Sequence, residues 1–372
     1  MQRIVPCAFL ALLALPAAAQ ERVDIGNGHV LMVGHPFFYM GREDDFTAGV
    51  NIADFDGDGD LDVAFINGRH WSQADELYFN RGDGRLLESR EIGELRSTGY
   101  GGCAADLDLN GTMDLLVPRD GLPPVIHFSG VNGPLSSTIG LNRTAGARGC
   151  AVADFTGDDI PDAVIGQRGN VTFMVVGPFS NVSPTVDILT GPVVGVATAD
   201  LNADSQPDLI LSMRGTATGA VLYNKGGGSF SDPLYFGAED QPSRAAAAVD
   251  WDGDGDLDIF SAVLTGENRV FLNEGGKFDT ALELPPTAPA EAVAIADFDG
   301  DDRPDAVLGT EGHNVLVMNW PYGYAVIQLP DEEADTYDVA VGDLNGNGFP
   351  DIVFANSGAP NSVIYNTTDP ED

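Results

Sequence analysis

The chain has 372 residues, with 57 Asp and Glu against 18 Lys and Arg and a formal net charge of −39. Such an excess argues against nucleic acid and anionic membrane as partners, and its self-repulsion calls for counter-cations. The 46 Gly and 23 Pro divide the sequence into short apolar stretches with almost no helical period, which points to one all-β unit rather than two domains.

At the N-terminus, Arg3 precedes the apolar stretch "IVPCAFLALLALP" and then "AAAQ", with small residues at Ala17 and Ala19. This order of charge, short apolar core and small-x-small site reads as a signal peptide over residues 1–19, which predicts an exported protein, extracellular or periplasmic. Its removal takes Arg3 and leaves a charge of −40. No later run approaches the ~18 apolar residues of a membrane-spanning helix. Residues 20–35 read as an N-terminal extension, and "HPFFYMGREDDF" supplies a strand, Phe37 to Met40, with no repeat of its own.

The stretch "ADFDGDGDLDVAF", residues 53–65, places Asp at every second position from Asp54 to Asp62, directly before an apolar run. Related stretches begin their acidic part at Asp106, Asp154, Asp200, Asp250, Asp297 and Asp343, at spacings of 52, 48, 46, 50, 47 and 46 residues. Seven copies of one unit thus occupy residues 36–366, leaving a tail over 367–372. In each copy a small-residue strand enters the acidic loop and an aliphatic strand leaves it. A third strand follows, such as "ELYFN", "RVFLN" or "SVIYN", then a Gly-rich turn and a fourth strand. Four antiparallel strands repeated seven times predict a seven-bladed β-propeller, closed by Phe37–Met40 completing the last blade. Cys103 and Cys150 are either bridged or buried as thiols.

Oxygen ligands at positions 1, 3 and 5 of a tight loop, a backbone carbonyl at 7 and a closing carboxylate suit a hard cation. In loop one these are Asp54, Asp56, Asp58, Asp60 and Asp62, and in loop two Asp106, Asp108, Asn110, Thr112 and Asp114. Loop three has Asp154, Thr156, Asp158, Ile160 and Asp162; loop four has Asp200, Asn202, Asp204, Gln206 and Asp208. Loop five has Asp250, Asp252, Asp254, Asp256 and Asp258; loop six has Asp297, Asp299, Asp301, Arg303 and Asp305; loop seven has Asp343, Asn345, Asn347, Phe349 and Asp351. The closing group falls at position 9, between strands, so these are not EF-hands. Up to seven Ca²⁺ are expected, tightest in loops one and five and weakest in three and four.

These D-x-[DN]-x-[DN]-G-x-x-D loops at a period near 48 residues resemble the FG-GAP or VCBS repeats of the integrin α-subunit type. "YFGAED" around Phe236 and Gly237, and "NSGAPNS" around Ala359 and Pro360, echo the FG and GAP portions. The resemblance implies a Ca²⁺-binding propeller with its metal loops on one face, and it leaves function open, since the family includes adhesion receptors, lectins and polysaccharide lyases.

The opposite face collects the turns between second and third strands and the connections between blades. These carry Arg69, Arg119, Arg168 and Arg214, and Arg96, Arg143, Arg148 and Arg244, with His70, Trp71 and Tyr100 beside them. Arg is suited to planar carboxylate or sulfate groups, so this face is expected to bind an anionic glycan or a protein. The same arginines serve equally well to neutralise nearby aspartates. Two alternatives stand beside a monomeric recognition or adhesion module. One is a lyase on acidic polysaccharide with His70, His313 or Tyr100 moving the proton, and the other is a scaffold of an exported assembly.

Overall fold

The computed structural model describes residues 22–33, 39–143, 145–215, 217–331 and 333–368. The expected signal peptide over 1–19 lies outside them. Among the described residues every regular element is a β-strand, and no helix is long and apolar enough to cross a membrane.

The strands follow the repeats. A hairpin of β1 (Arg22–Gly26) and β2 (His29–Val33) comes first. Unit one holds β3 (Thr47–Ala53), β4 (Asp62–Asn67), β5 (Gln73–Phe79) and β6 (Glu88–Ser97). Unit two holds β7 (Cys103–Ala105), β8 (Asp114–Val117), β10 (Val125–Gly130) and β11 (Gly133–Gly140), while the short β9 (Asp120–Leu122) pairs onward with β12 (Ala145–Ala153). In unit three, β13 (Asp162–Val175) holds the second and third strands, reversing at the expected Arg168–Gly169 turn, where Gly169 has a φ of 90°, so that Gly177 returns to Asp162 at 3.0 Å. β14 (Thr185–Ala199) spans two expected strands because its pairing passes from β13 directly to β15. Unit four continues with β15 (Asp208–Met213), β16 (Gly219–Leu222) and β17 (Leu234–Phe236). Unit five holds β18 (Ser243–Val249), β19 (Asp258–Val263), β20 (Arg269–Leu272) and β21 (Thr280–Glu283). Unit six holds β22 (Ala290–Ala296), β23 (Asp305–Gly312), β24 (Val315–Trp320) and β25 (Gly323–Gln328), and unit seven β26 (Ala334–Gly342), β27 (Asp351–Ser357) and β28 (Ser362–Thr368). Every ladder between these strands is antiparallel, and the arrangement is propeller-like.

One expectation is corrected. The strand that pairs with β28 is β2, from His29↔Thr368 to Val33↔Ile364, and not Phe37–Met40. Within the expected N-terminal extension over 20–35, residues 22–33 form β1 and β2. Residues 34–38 lie outside the described residues, and Met40 makes only an isolated bridge to Asn361. The physical reason is the Asn27-Gly28 turn, with φ of 50° and 81°, a strong hairpin signal that folds β1 onto β2 and buries Ile25 and Leu31.

The last unit meets the first. The Val50 N–H of β3 donates to Asp338 Oδ2 of β26 at 3.0 Å. Where the first strands crowd together the side chains are small: a Cβ on Gly49 would come 2.7 Å from Gly101 Cα.

One anchor recurs at every seam. The second residue of each acidic loop (Phe55, Leu107, Phe155, Leu201, Trp251, Phe298 and Leu344) is buried in a separate apolar cluster shared with the following unit. Its N–H donates to the loop's closing carboxylate, as from Phe55 to Asp62 at 3.2 Å and Leu344 to Asp351 at 3.0 Å. In five seams its carbonyl accepts from the Asn ending the next unit's third strand. Asn224 bonds Phe155, Asn273 bonds Leu201, Asn319 bonds Trp251, Asn366 bonds Phe298 and Asn80 bonds Leu344, at 2.7–3.1 Å. Units two and three place Ser129 and Gly177 where these asparagines stand. The seam between them carries the Cys103–Cys150 disulfide, whose cysteines stand 47 positions apart in sequence, so that pair is bridged.

Two outcomes test these contacts. Asn273→Ala leaves a buried carbonyl and amide unpaired and should cost about 3 kcal/mol in urea unfolding. Replacing both cysteines by Ala frees the chain across that 47-residue separation and should lower stability by about 4 kcal/mol.

Candidate metal loops and cationic mouth

All seven loops fold alike despite their different side chains. The leading Asp accepts the N–H of position 6 on Oδ2, from Gly59 to Asp54 at 3.0 Å through Gly348 to Asp343 at 2.7 Å. The side-chain oxygen at position 5 accepts the N–H of position 7, as Asp58 does from Asp60 and Asn347 from Phe349. Position 6 has positive φ throughout, and Asp159, Ser205 and Asp302 adopt 65°, 67° and 66° without glycine. Loop four is the most strained, since Ala203 at position 4 also sits at 57°.

The closing carboxylates are buried, between 0% and 2% exposed. Each has both oxygens engaged: Asp258 takes Trp251 N–H at 3.1 Å and Asn273 N–H at 2.8 Å. Burial pushes Asp62, Asp114 and Asp208 up to about 6, and Asp305 and Asp351 to about 7, against the lowering effect of these hydrogen bonds. In loops one, five and six the carboxylates at positions 1, 3 and 5 converge, with ligand atoms within 4.8 Å of one another. In loop two Asp106, Asp108 and the closing Asp114 do so. Asp299 Oδ1 is buried with no hydrogen-bond partner. An orphaned carboxylate oxygen beside two further acids suits a hard cation.

At the other end of the strands, Tyr100, Arg148, Arg244 and Tyr337 line a central cavity of about 220 Å³. A smaller space of about 130 Å³ adds His70, Arg168 and Arg214. Arg148 pairs with Asp120 at 3.0 Å and lies over the Tyr100 ring at 3.9 Å. Arg244 pairs with Glu291 at 2.5 Å and lies over Tyr337 at 3.9 Å. Arg69 pairs with Asp335 at 3.3 Å, also lies over the Tyr337 ring at 3.5 Å and bonds its hydroxyl. Arg168 and Arg214 have no carboxylate at ion-pair distance among the described residues. Arg214 Nε is buried without a partner, and burial, with Arg244 and Arg168 close by, lowers its pKa. The five guanidinium groups thus face three paired carboxylates and Asp338 of the same cavity, a small local positive excess in a chain of net charge −39.

The FG-GAP-like repeat matches residues 54–117, 200–261 and 250–308, and the FG-GAP repeat matches residues 336–369. The chain belongs to the FG-GAP repeat family. No curated protein sequence matches it. Among solved structures, BBS1N in complex with ARL6DN is similar over 88% of this chain and 94% of that one, at 12% identity and a TM-score of 0.60. A second structure of that complex gives 11% identity and 0.57 over 90% and 94%. An Agrocybe aegerita lectin that recognises non-reducing terminal N-acetylglucosamine is similar over 86% of this chain and 84% of its own, at 18% identity and 0.54. At these identities the likeness is one of fold.

Of the expected face residues, this FG-GAP chain brings together Arg69, His70, Tyr100, Arg148, Arg168, Arg214 and Arg244. It does not gather the others. Arg96 is exposed, 4.0 Å from Glu91, and Trp71 is 65% exposed. Arg143 pairs with Asp187 at 2.5 Å and covers Phe173. His313 sits against Glu333 at 3.3 Å, outside the mouth. Tyr337 was missed, although a signal existed: Tyr100, Arg148, Arg244, Glu291 and Tyr337 all stand six residues before the leading Asp of their repeats. Arg119 lines a separate cavity with buried Asp75 and His127.

Burial, opposed by the Asn67 amide and Arg119, raises Asp75 from 3.8 to about 7. The folded chain keeps this proton while the unfolded chain releases it near 3.8, so stability through this group is greatest in acid and falls as pH rises across that window. Asp75→Asn, which retains the acceptor for Asn67, should flatten that fall in melting curves between about pH 5 and 7.5, and an unchanged slope contradicts the assignment.

Proposed function

We propose that this protein is an exported, Ca²⁺-loaded recognition module: seven blades closed into a ring, with metal loops at one end and an anion-binding mouth at the other. The observation that carries the reading is the pair Arg168 and Arg214, held without carboxylate partners beside Arg148 and Arg244. Unpaired guanidinium groups in so acidic a chain, Arg214 partly buried and Arg168 exposed at its rim, favour a ligand carboxylate or sulfate. The matching group belongs to an acidic glycan or to a protein surface. Similarity in fold to a lectin supports a recognition role of this kind.

The convergent acids of loops one, two, five and six and the orphaned Asp299 oxygen support Ca²⁺ as the counter-cation. When bound, the ion would neutralise repulsion within each loop and hold the turn. Loops one and five, with four aspartates and Gly59 or Gly255 at position 6, take it most tightly; loops three and four, with Thr156 and Asn202, most weakly.

Two measurements test this. The melting temperature should rise by several degrees in millimolar Ca²⁺ relative to chelator, and equal melting rejects the metal. On an array of acidic and neutral glycans in Ca²⁺, binding should favour uronate or sulfate residues and fall at least about tenfold in an Arg168→Ala/Arg214→Ala variant. Binding that ignores both substitutions removes the mouth from the account.

A further inference from the structure

The seam between units one and two differs from the rest. It has neither the asparagine clasp, since Ser129 replaces the residue and turns its hydroxyl to Met113 O, nor the disulfide of the next seam. In this seam, between β5 and β6 on one side and β10 and β11 on the other, lies a cavity of about 590 Å³. It is larger than the space at the mouth.

Its wall is polar and chemically mixed. Asp75, 4% exposed, spends one oxygen on Asn67 N–H at 2.8 Å. Arg119 donates Nε to Pro123 O at 2.7 Å, and its two terminal amino groups have no partner among the described residues. His127 is 6% exposed and bonds Thr138 Oγ1 through Nδ1 at 2.9 Å, leaving Nε2 unpaired. Burial, then Arg119, lowers the imidazole to about 4, so it is neutral at physiological pH. Ser97, Ser136 and Thr138 add hydroxyls.

We propose that this cavity is a second binding site, distinct from the cationic mouth, for a small neutral polyhydroxylated ligand of one or two saccharide units. A carboxylate, a guanidinium, an imidazole and several hydroxyls offer acceptors and donors side by side. A ligand hydroxyl both donates and accepts, and adjacent hydroxyls satisfy such a wall pairwise. Above about pH 7, where Asp75 is ionised, it opposes the single cation and an anion gains little here, and so polar a wall disfavours an apolar ligand. The volume lies in the ordinary range for small-ligand sites.

Gly140 gives a fold-safe test, because a Cβ there would meet nothing within 4 Å and a longer side chain grows into the cavity. Full-length protein in Ca²⁺ is titrated with D-glucose, D-galactose, D-mannose, N-acetyl-D-glucosamine and myo-inositol, with sodium acetate as the anionic control, by saturation-transfer NMR and calorimetry. At least one neutral probe should bind at millimolar Kd or tighter. It should lose about tenfold or more in Gly140→Leu and Arg119→Gln while binding the Arg168→Ala/Arg214→Ala variant unchanged. Should Arg119→Gln fail to fold, Gly140→Leu decides alone. The proposal is overturned if no neutral probe binds, if binding survives Gly140→Leu, if only the mouth variant weakens it, or if acetate binds with the same sensitivity. A failed mouth with an intact sugar response, or the reverse, separates the two readings.

Discussion

A buried carboxylate, repeated once per unit, ties each acidic loop to the sheet. In unit five, Asp258 receives the N–H of Trp251 from the loop and the N–H of Asn273 from the third strand. The same pair of bonds recurs from Asp62 to Asp351. The residue it fixes is also the apolar plug of the next seam, and in five seams it is the acceptor of the next unit's asparagine. Loop conformation, sheet pairing and packing between units are therefore one cooperative arrangement. The conspicuous exposed aspartates stand around this latch and add to it.

This division explains why the loops keep one shape across unequal sequences. Loop four, with Asn202, Ala203 and Ser205, makes the same Asp200 and Asp208 contacts as loops richer in aspartate. Ligand chemistry can drift while the latch persists. Where the interunit bonds themselves lapse, the outcome differs from seam to seam: a disulfide follows Leu107, and a cavity opens beyond Phe55.

Much of this was legible in the sequence. The period, the strand before and after each loop, and the positions of the closing aspartates all follow from the recurrence of Asp at fixed spacing. The asparagine in "RVFLN" and "SVIYN" was visible, but its partner, a carbonyl some 70 positions away, was not: Asn273 meets Leu201 and Asn366 meets Phe298. The closing strand was misplaced because Phe37–Met40 is a strand-like segment with no repeat of its own, whereas the Asn27-Gly28 turn makes β2 the partner of β28. For the mouth, chain position identifies the end of a strand and says nothing of its distance from the centre. Arg148 and Arg244, on first strands, reach the centre, while Arg143 and Arg96 remain beside Asp187 and Glu91.

The central claim is that the acidic loops are structural latches, so the direct measurement is hydrogen exchange of the two amides bound to each closing carboxylate, from Phe55 and Asn80 at Asp62 to Leu344 and Asn366 at Asp351. The account predicts that all seven pairs exchange only with global unfolding, loops three and four included. Exchange of these amides at the rate of exposed loop residues would contradict it.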